Sequence, residues 1–275
     1  MDKPTVIFFG SFLEYSVQVL EKLHTSNEVD VLGVVTTPPR PAGRKQELTK
    51  THVHQYAVSH QIPVFTPEKL TKNVSLLTSH SFSNGWNLTE TQVEESSEDT
   101  SKNTLDPSTT LHSAQDDRAS QPINQLTDTP DLFVVAGYGK LLPKEWLEYP
   151  KMAPINIHFS LLPKYRGAMP GEWALMMEEA QTGVSLIEMS PQVDAGNIYA
   201  QATYEITTQE TRETLYTKLY DLGADLFLDS LASYLQFLEE PEINYSKVGA
   251  TGRLALPPMK QQKTPDLLYA KLLSK

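Results

Sequence analysis

Residues 5–35 read TVIFFGSFLEYSVQVLEKLHTSNEVDVLGVV. Thr5-Val6-Ile7-Phe8-Phe9 is a continuous apolar run closed by Gly10-Ser11, the pattern of a strand buried on both faces. Val17, Leu20 and Leu23 then recur at three-residue spacing and predict a helix. Val29 to Val35 is a second run, rich in β-branched residues. Strand, short helix, strand is the opening of a parallel βαβ unit, so the expected class is α/β with a mostly parallel sheet. Gly10 stands alone where a dinucleotide-binding fingerprint needs three glycines, so no nucleotide cofactor is expected there.

Outward from this unit the pattern continues. Thr36 to Lys50 holds three prolines and a glycine and reads as an exposed loop. It carries Arg40, Arg44, Lys45 and Lys50 against Glu47, a net charge of +3. A helix is expected from Val53 to Ser59 and a third strand over Ile62-Pro63-Val64-Phe65. Residues 71–130 hold nine acids and three bases, with no persistent period, and read as a disordered or loop-like insertion. Regular pattern resumes at Asp131-Leu132-Phe133-Val134-Val135-Ala136, followed by Gly137-Tyr138-Gly139-Lys140 and a short helix through Trp146. Further strands are expected near Asn156, over Gly183 to Met189 and over Ile198 to Ile206. Helices are expected over Gly171–Glu179 and Thr211–Leu238, with Gly223 able to bend or divide the second. The expected division is a catalytic domain over 1–206 and a helical extension with a linker-like tail over 207–275.

The chain has 275 residues, a formal net charge of −11 and no cysteine. Thiolate nucleophiles, disulfides and cysteine-based metal sites are therefore excluded. The mean hydropathy is −0.35. No apolar run is long enough to span a bilayer, and the start of the chain lacks a signal-peptide pattern, so a cytoplasmic protein with no membrane partner is expected. The acidic total argues against indiscriminate nucleic-acid binding, but more than half of the excess lies within 71–130.

The chemistry-bearing stretch is Asn156-Ile157-His158-Phe159-Ser160-Leu161-Leu162-Pro163-Lys164-Tyr165-Arg166-Gly167. On a strand, Asn156 and His158 share one face while Ile155, Ile157 and Phe159 share the other. Taken alone, this strand has two readings: a half-buried core histidine beside a turn-capping Asn, or half of a site. Asp194 lies in a turn, and with it the three form the only Asn/His/Asp set on strand ends and turns of the expected sheet. No serine sits in a nucleophile-elbow sequence, and His52 and His54 are two apart on a helix, which does not put both on one face. Without nucleophile or metal, the set suits direct group transfer through a tetrahedral intermediate. Asn156 and a protonated His158 would stabilise the oxyanion, with Asp194 holding the imidazole and helping to move protons.

Asn156-x-His158, Ser160-Leu161-Leu162-Pro163, Arg166-Gly167, Pro170 and Asp194 together resemble the 10-formyltetrahydrofolate-dependent formyltransferases. The resemblance covers roughly residues 5–70 and 130–235. It implies a Rossmann-like fold, catalytic roles for Asn156, His158 and Asp194, and folate binding by Ser160, Leu161, Leu162, Pro163, Tyr138 and Gly139. Within the family, Phe9-Gly10-Ser11, Arg40-Pro41-Ala42-Gly43-Arg44 and the form of the 163–170 run are similar to the branch that formylates methionyl initiator tRNA. Arg40, Arg44 and Lys45 are then expected to meet the tRNA. The expected co-substrate is 10-formyltetrahydrofolate, with no metal, and the expected state is a monomer. Members of that branch continue into a C-terminal barrel that this chain is expected to lack. Two alternatives stay open: a formyltransferase for another amine (an amino sugar nucleotide or glycinamide ribonucleotide), and a non-catalytic folate- or tRNA-binding homologue.

Overall fold

A computed structural model describes residues 3–72 and 129–239. Most of the insertion expected at 71–130, and the tail beyond 239, lie outside the described residues. The expected βαβ opening is present as β1 (Thr5–Phe9), α1 (Tyr15–Thr25) and β2 (Asp30–Val35). A small hairpin follows, β3 (Arg40–Ala42) with β4 (Glu47–Thr49), then α2 (His52–Ser59) and β5 (Val64–Phe65). Beyond residue 129 come β6 (Leu132–Val135), α3 (Lys144–Leu147), β7 (Ile155–His158) and α4 (Pro170–Met176). The described chain closes with β8 (Gln181–Glu188), β9 (Ile198–Glu205) and α5 (Arg212–Glu239).

Seven strands form one sheet in the order β5-β2-β1-β6-β7-β8-β9. The first five are parallel, while β8 and β9 add antiparallel to the edge of β7. Of the parallel strands, β1, β2 and β6 are largely continuous apolar runs, as expected of strands covered on both faces, while β7 alternates. Alternate residues feed two layers. Val6, Phe8, Val34, Val134, Ile155 and Ile157 pack against α1 and α5; Ile7, Phe9, Val35, Phe133 and Val135 pack against Trp146 of α3 and Leu142. Asp131 clamps β6 to β1: its carboxylate accepts from the Thr5 amide and hydroxyl, both at 2.7 Å, and from Lys151 at 2.8 Å. Burial pushes the Asp131 carboxyl up, but the bonds from Lys151 and Thr5 outweigh it, so it sits below the ordinary carboxylate range.

Two expectations are corrected here. The basic stretch after β2 is a two-stranded hairpin, with Arg40 paired to Thr49 and Ala42 to Glu47. Backbone pairing builds it, since every residue from 40 to 50 is exposed. The second concerns 207–275, expected as an extension of a domain ending at 206: its helix α5 belongs to the main core. Leu215, Tyr216, Leu219, Tyr220, Ala224, Phe227 and Leu231 are buried in the same cluster as β7 and β8. Gly223 does not divide the helix. It lets α5 approach the sheet: a Cβ there would lie 2.6 Å from Ile157 Cγ2. At its start α5 is tied to α4 by the buried Glu172, which accepts from Arg212 at 2.8 Å and from the Tyr216 hydroxyl.

Candidate active site

β7 presents Asn156 and His158 on the face opposite Ile155 and Ile157, as the alternation requires. Asp194 reaches them by an unexpected route. Because β8 runs antiparallel, its end at Glu188 lies beside Ile155, at the amino end of β7. The 189–197 segment therefore folds back over the face of the sheet. Asp194 sits in it with a backbone φ of 48°, in the left-handed region that non-glycine residues seldom adopt.

The three expected catalytic side chains converge. Asn156 Nδ2 donates to Asp194 Oδ1 at 3.3 Å, and Asp194 Oδ2 lies 3.5 Å from His158 Nδ1. The Gly167 amide donates to Asp194 Oδ2 at 2.6 Å. His158 Nε2 is 2.9 Å from the Tyr165 carbonyl. A carbonyl only accepts, so Nε2 carries hydrogen, and Nδ1 donates only when the ring carries both protons. His158 and Asp194 side chains are 6% and 9% exposed, so these two are nearly closed to water, while Asn156 is half-buried.

The loop after β7 is fixed from beneath by two residues that the sequence pattern does not single out. Ser185 on β8 donates to the Ser160 carbonyl at 2.7 Å and accepts from the Leu162 amide at 3.0 Å. Gln201 on β9 donates to Ser185 Oγ at 2.7 Å and to the Leu162 carbonyl at 3.0 Å. The available signal was Ser185 itself, a polar residue between Val184 and Leu186 in an apolar strand. Ser160, expected to bind folate, is fully buried and donates to the Lys164 carbonyl at 2.7 Å. The Leu162-Pro163 peptide is cis. Leu162 packs with Ile187 and Ile198, Leu161 is half-buried, and Pro163 is exposed.

The loop after β6 is tied to the loop after β1: Ser11 Oγ donates to the Tyr138 carbonyl at 2.7 Å, and the Ser11 amide to the Gly137 carbonyl at 3.1 Å. Tyr138, expected to line a pocket, has its ring almost wholly buried against Phe9. Burial pushes its phenol well up, and its hydroxyl has no hydrogen-bond partner among the described residues. Gly139 is exposed, with open space about its backbone. Lys140 spans from this loop to the carbonyls of Pro67 and Glu68, at 2.9 and 2.8 Å. Its ammonium is pushed down by burial, which Glu68 opposes and Arg40 reinforces, so the Arg40 charge is felt at the base of this loop. Arg40, Arg44 and Lys45 are not brought into the Asn156–His158–Asp194 cluster. They stand on the hairpin and, among the described residues, join no ion pair, whereas Lys22, Lys151, Lys164, Arg212 and Lys218 each meet a carboxylate.

The family model for formyl transferases matches residues 3–231. The chain belongs to the formyl transferase family. It is 34% identical over 227 residues to a methionyl-tRNA formyltransferase of Lacticaseibacillus casei, an alignment covering 82% of this chain and 56% of that protein. A methionyl-tRNA formyltransferase of Listeria welshimeri is 35% identical over 231 residues, covering 84% of this chain and 58% of the relative. The chain thus spans a little over half the length of these relatives. Among solved structures, phosphoribosylglycinamide formyltransferase from Bacillus halodurans aligns with a TM-score of 0.56 at 20% identity, covering 87% of this chain and 100% of that one. Glycinamide ribonucleotide transformylase 1 from Symbiobacterium toebii gives a TM-score of 0.56 at 15% identity, covering 93% and 95%. Both likenesses show the fold, the Rossmann-like sheet with flanking helices. Among the described residues no helix is long and apolar enough to cross a membrane.

Proposed function

We propose that this formyl transferase family member moves the formyl group of 10-formyltetrahydrofolate to the α-amine of methionyl initiator tRNA. The convergence of Asn156, His158 and Asp194 on one face, with the His158–Asp194 contact nearly closed to water, carries the proposal. The amine attacks the formyl carbon, forming the new C–N bond and a tetrahedral oxyanion. Asn156 donates through its side-chain amide, and a doubly protonated His158 donates through Nδ1 while Nε2 stays on the Tyr165 carbonyl. The 3.5 Å gap between His158 and Asp194 is a resting contact; such bonds commonly shorten or re-aim when substrate enters. The Asp194 carboxylate offsets the imidazolium charge and passes the proton lost by the amine toward N10. The bond from the formyl carbon to N10 then breaks, leaving tetrahydrofolate and the formamide.

The folate would lie against Ser160–Pro163 and the Tyr138–Gly139 loop. The exposed backbone at Gly139, with open space about it, suits the amide edges of a flat heterocycle. The hairpin supports tRNA over a smaller amine as acceptor. Arg40, Arg44 and Lys45 are exposed and without ion-pair partners among the described residues, as phosphate-binding groups would be. The test is to incubate the protein with 10-formyltetrahydrofolate and, separately, methionyl-tRNA, glycinamide ribonucleotide and an amino sugar nucleotide, following tetrahydrofolate release. Turnover with methionyl-tRNA is expected. Turnover with another amine alone overturns the acceptor, and no turnover with any overturns the catalytic reading.

A further inference from the structure

The Asp194 loop has a long return to make, and its anchor lies on the opposite face of the sheet. Glu188 pairs with Ile155 across the strands, so its side chain shares the face that packs on α5. There its carboxylate accepts from Asn197 Nδ2 at 2.6 Å and from the Tyr199 hydroxyl at 2.9 Å. Tyr199 reaches it because of a bulge. Leu186 pairs with Ala200 and Ile187 with Ile198, which leaves Tyr199 as the extra residue, turned toward the α5 face. Its ring meets Tyr234 of α5 edge-on at 4.5 Å, and Tyr234 donates to the Ala153 carbonyl at 2.9 Å. The backbone closes the same neck. The Glu188 amide donates to the Asn197 carbonyl at 2.9 Å, the Met189 amide to the Pro154 carbonyl at 2.8 Å, and a Cβ on Gly196 would stand 1.8 Å from the Glu188 carbonyl oxygen.

We propose that Glu188 is a positioning residue: by bonding Asn197 and the bulged Tyr199 from behind the sheet, it sets the neck of the 189–197 loop and so the contact of Asp194 with His158. This rests on the catalytic reading above, and it concerns a residue on the face of the sheet opposite Asn156 and His158. The two oxygens have separate partners, Oε1 for Tyr199 and Oε2 for Asn197. The pair with Asn197 can therefore be inverted without disturbing Tyr199. In Asn197→Asp two carboxylates face each other and the donor is lost. In Glu188→Gln combined with Asn197→Asp, the new amide donates to the new carboxylate and its oxygen still accepts from Tyr199.

The experiment is a cycle of Glu188→Gln, Asn197→Asp and the double variant, read three ways: kcat and KM of formyl transfer, the imidazole 15N shifts of His158, and Tm. Asn197→Asp is expected to lower kcat by about tenfold or more, with the KM for 10-formyltetrahydrofolate within about twofold of the wild type, and to move the His158 shifts. The double variant is expected to bring kcat to within about threefold of the wild type and return the shifts. A folded Asn197→Asp with unchanged kcat and shifts overturns the proposal. So does a folded double variant in which Tm recovers while kcat and shifts do not. If the wild type transfers no formyl group, the catalytic reading fails; the His158 shifts still decide whether Glu188 governs the contact.

Discussion

The Asn156–His158–Asp194 cluster and the β3–β4 hairpin are both required by the proposed reaction, yet they are held in opposite ways. The cluster is stapled on every side. Tyr165 and Gly167 backbone groups fix His158 and Asp194, Ser185 and Gln201 fix the loop after β7, and Glu188 closes the neck behind Asp194. The hairpin is wholly exposed and contributes nothing to either main core layer. Atoms that stabilise a transition state must already be in place, since their reorganisation would add to the barrier. Groups that meet a flexible polyanion gain from being mobile, because phosphate contact is tolerant of direction. The proposed function divides along the line between framed and unframed structure.

The sharpest way to break this contrast is at the chemistry. His158→Ala is expected to lower kcat by about 100- to 1,000-fold, the usual cost of an oxyanion donor, with folate binding kept. Stopped-flow turnover and folate titration of the same sample check it. Retained turnover would remove His158 from the mechanism.

The frame comes next. Ser185→Ala takes a partner from the Leu162 amide, the Ser160 carbonyl and the Gln201 amide together. The expected loss is about 1–3 kcal/mol, the scale of leaving buried polar groups unpaired, measured by urea unfolding. Turnover is expected to fall with it. Asp131→Asn tests the frame at its far edge. Its carboxyl is held below the ordinary range, so its contribution is complete at neutral pH and disappears as pH falls through the folded value. The stability gap between wild type and Asp131→Asn should therefore be open at pH 7 and close in acid; a gap that widens in acid would contradict the clamp.

The hairpin should give the smallest effect on the fold. Arg40→Ala with Arg44→Ala is expected to leave stability within about 0.5 kcal/mol, as for surface changes generally. The KM for methionyl-tRNA should rise at constant kcat. The slope of log KM against log salt should fall by about 0.7–0.9 for each phosphate that the variant no longer neutralises. Equal loss of kcat with folate alone varied would place these arginines in the frame after all.

The same contrast explains what could be read from the sequence. β1, β2 and β6 were legible because strands covered on both faces must be largely apolar. The Asn156/His158 alternation was legible because strand geometry forces it. The hairpin was not, since three exposed residues per strand leave no hydrophobic pattern; prolines and a glycine spelled only a loop. Asp194 could be named but not its route, because nothing in Gln181–Glu188 says whether the strand runs parallel or antiparallel to β7. The supports were the least legible. Gly167 and Tyr165 act through backbone atoms. Tyr199 acts through a bulge that only strand register reveals. Tyr138 was matched to a pocket-lining loop, whereas its ring is spent in the core.

The helix α5 is the last described element of the chain, and it forms the floor under β7, β8 and β9. During synthesis every residue of the Asn156–His158–Asp194 cluster therefore leaves the ribosome before its floor exists. Ile155, Ile157, Val184 and Leu186 must wait, with a bare apolar face, for residues 215–234 to emerge. A nascent chain halted near residue 205 would hold all three side chains of the proposed site and still lack their support, an adhesive half-sheet until α5 docks.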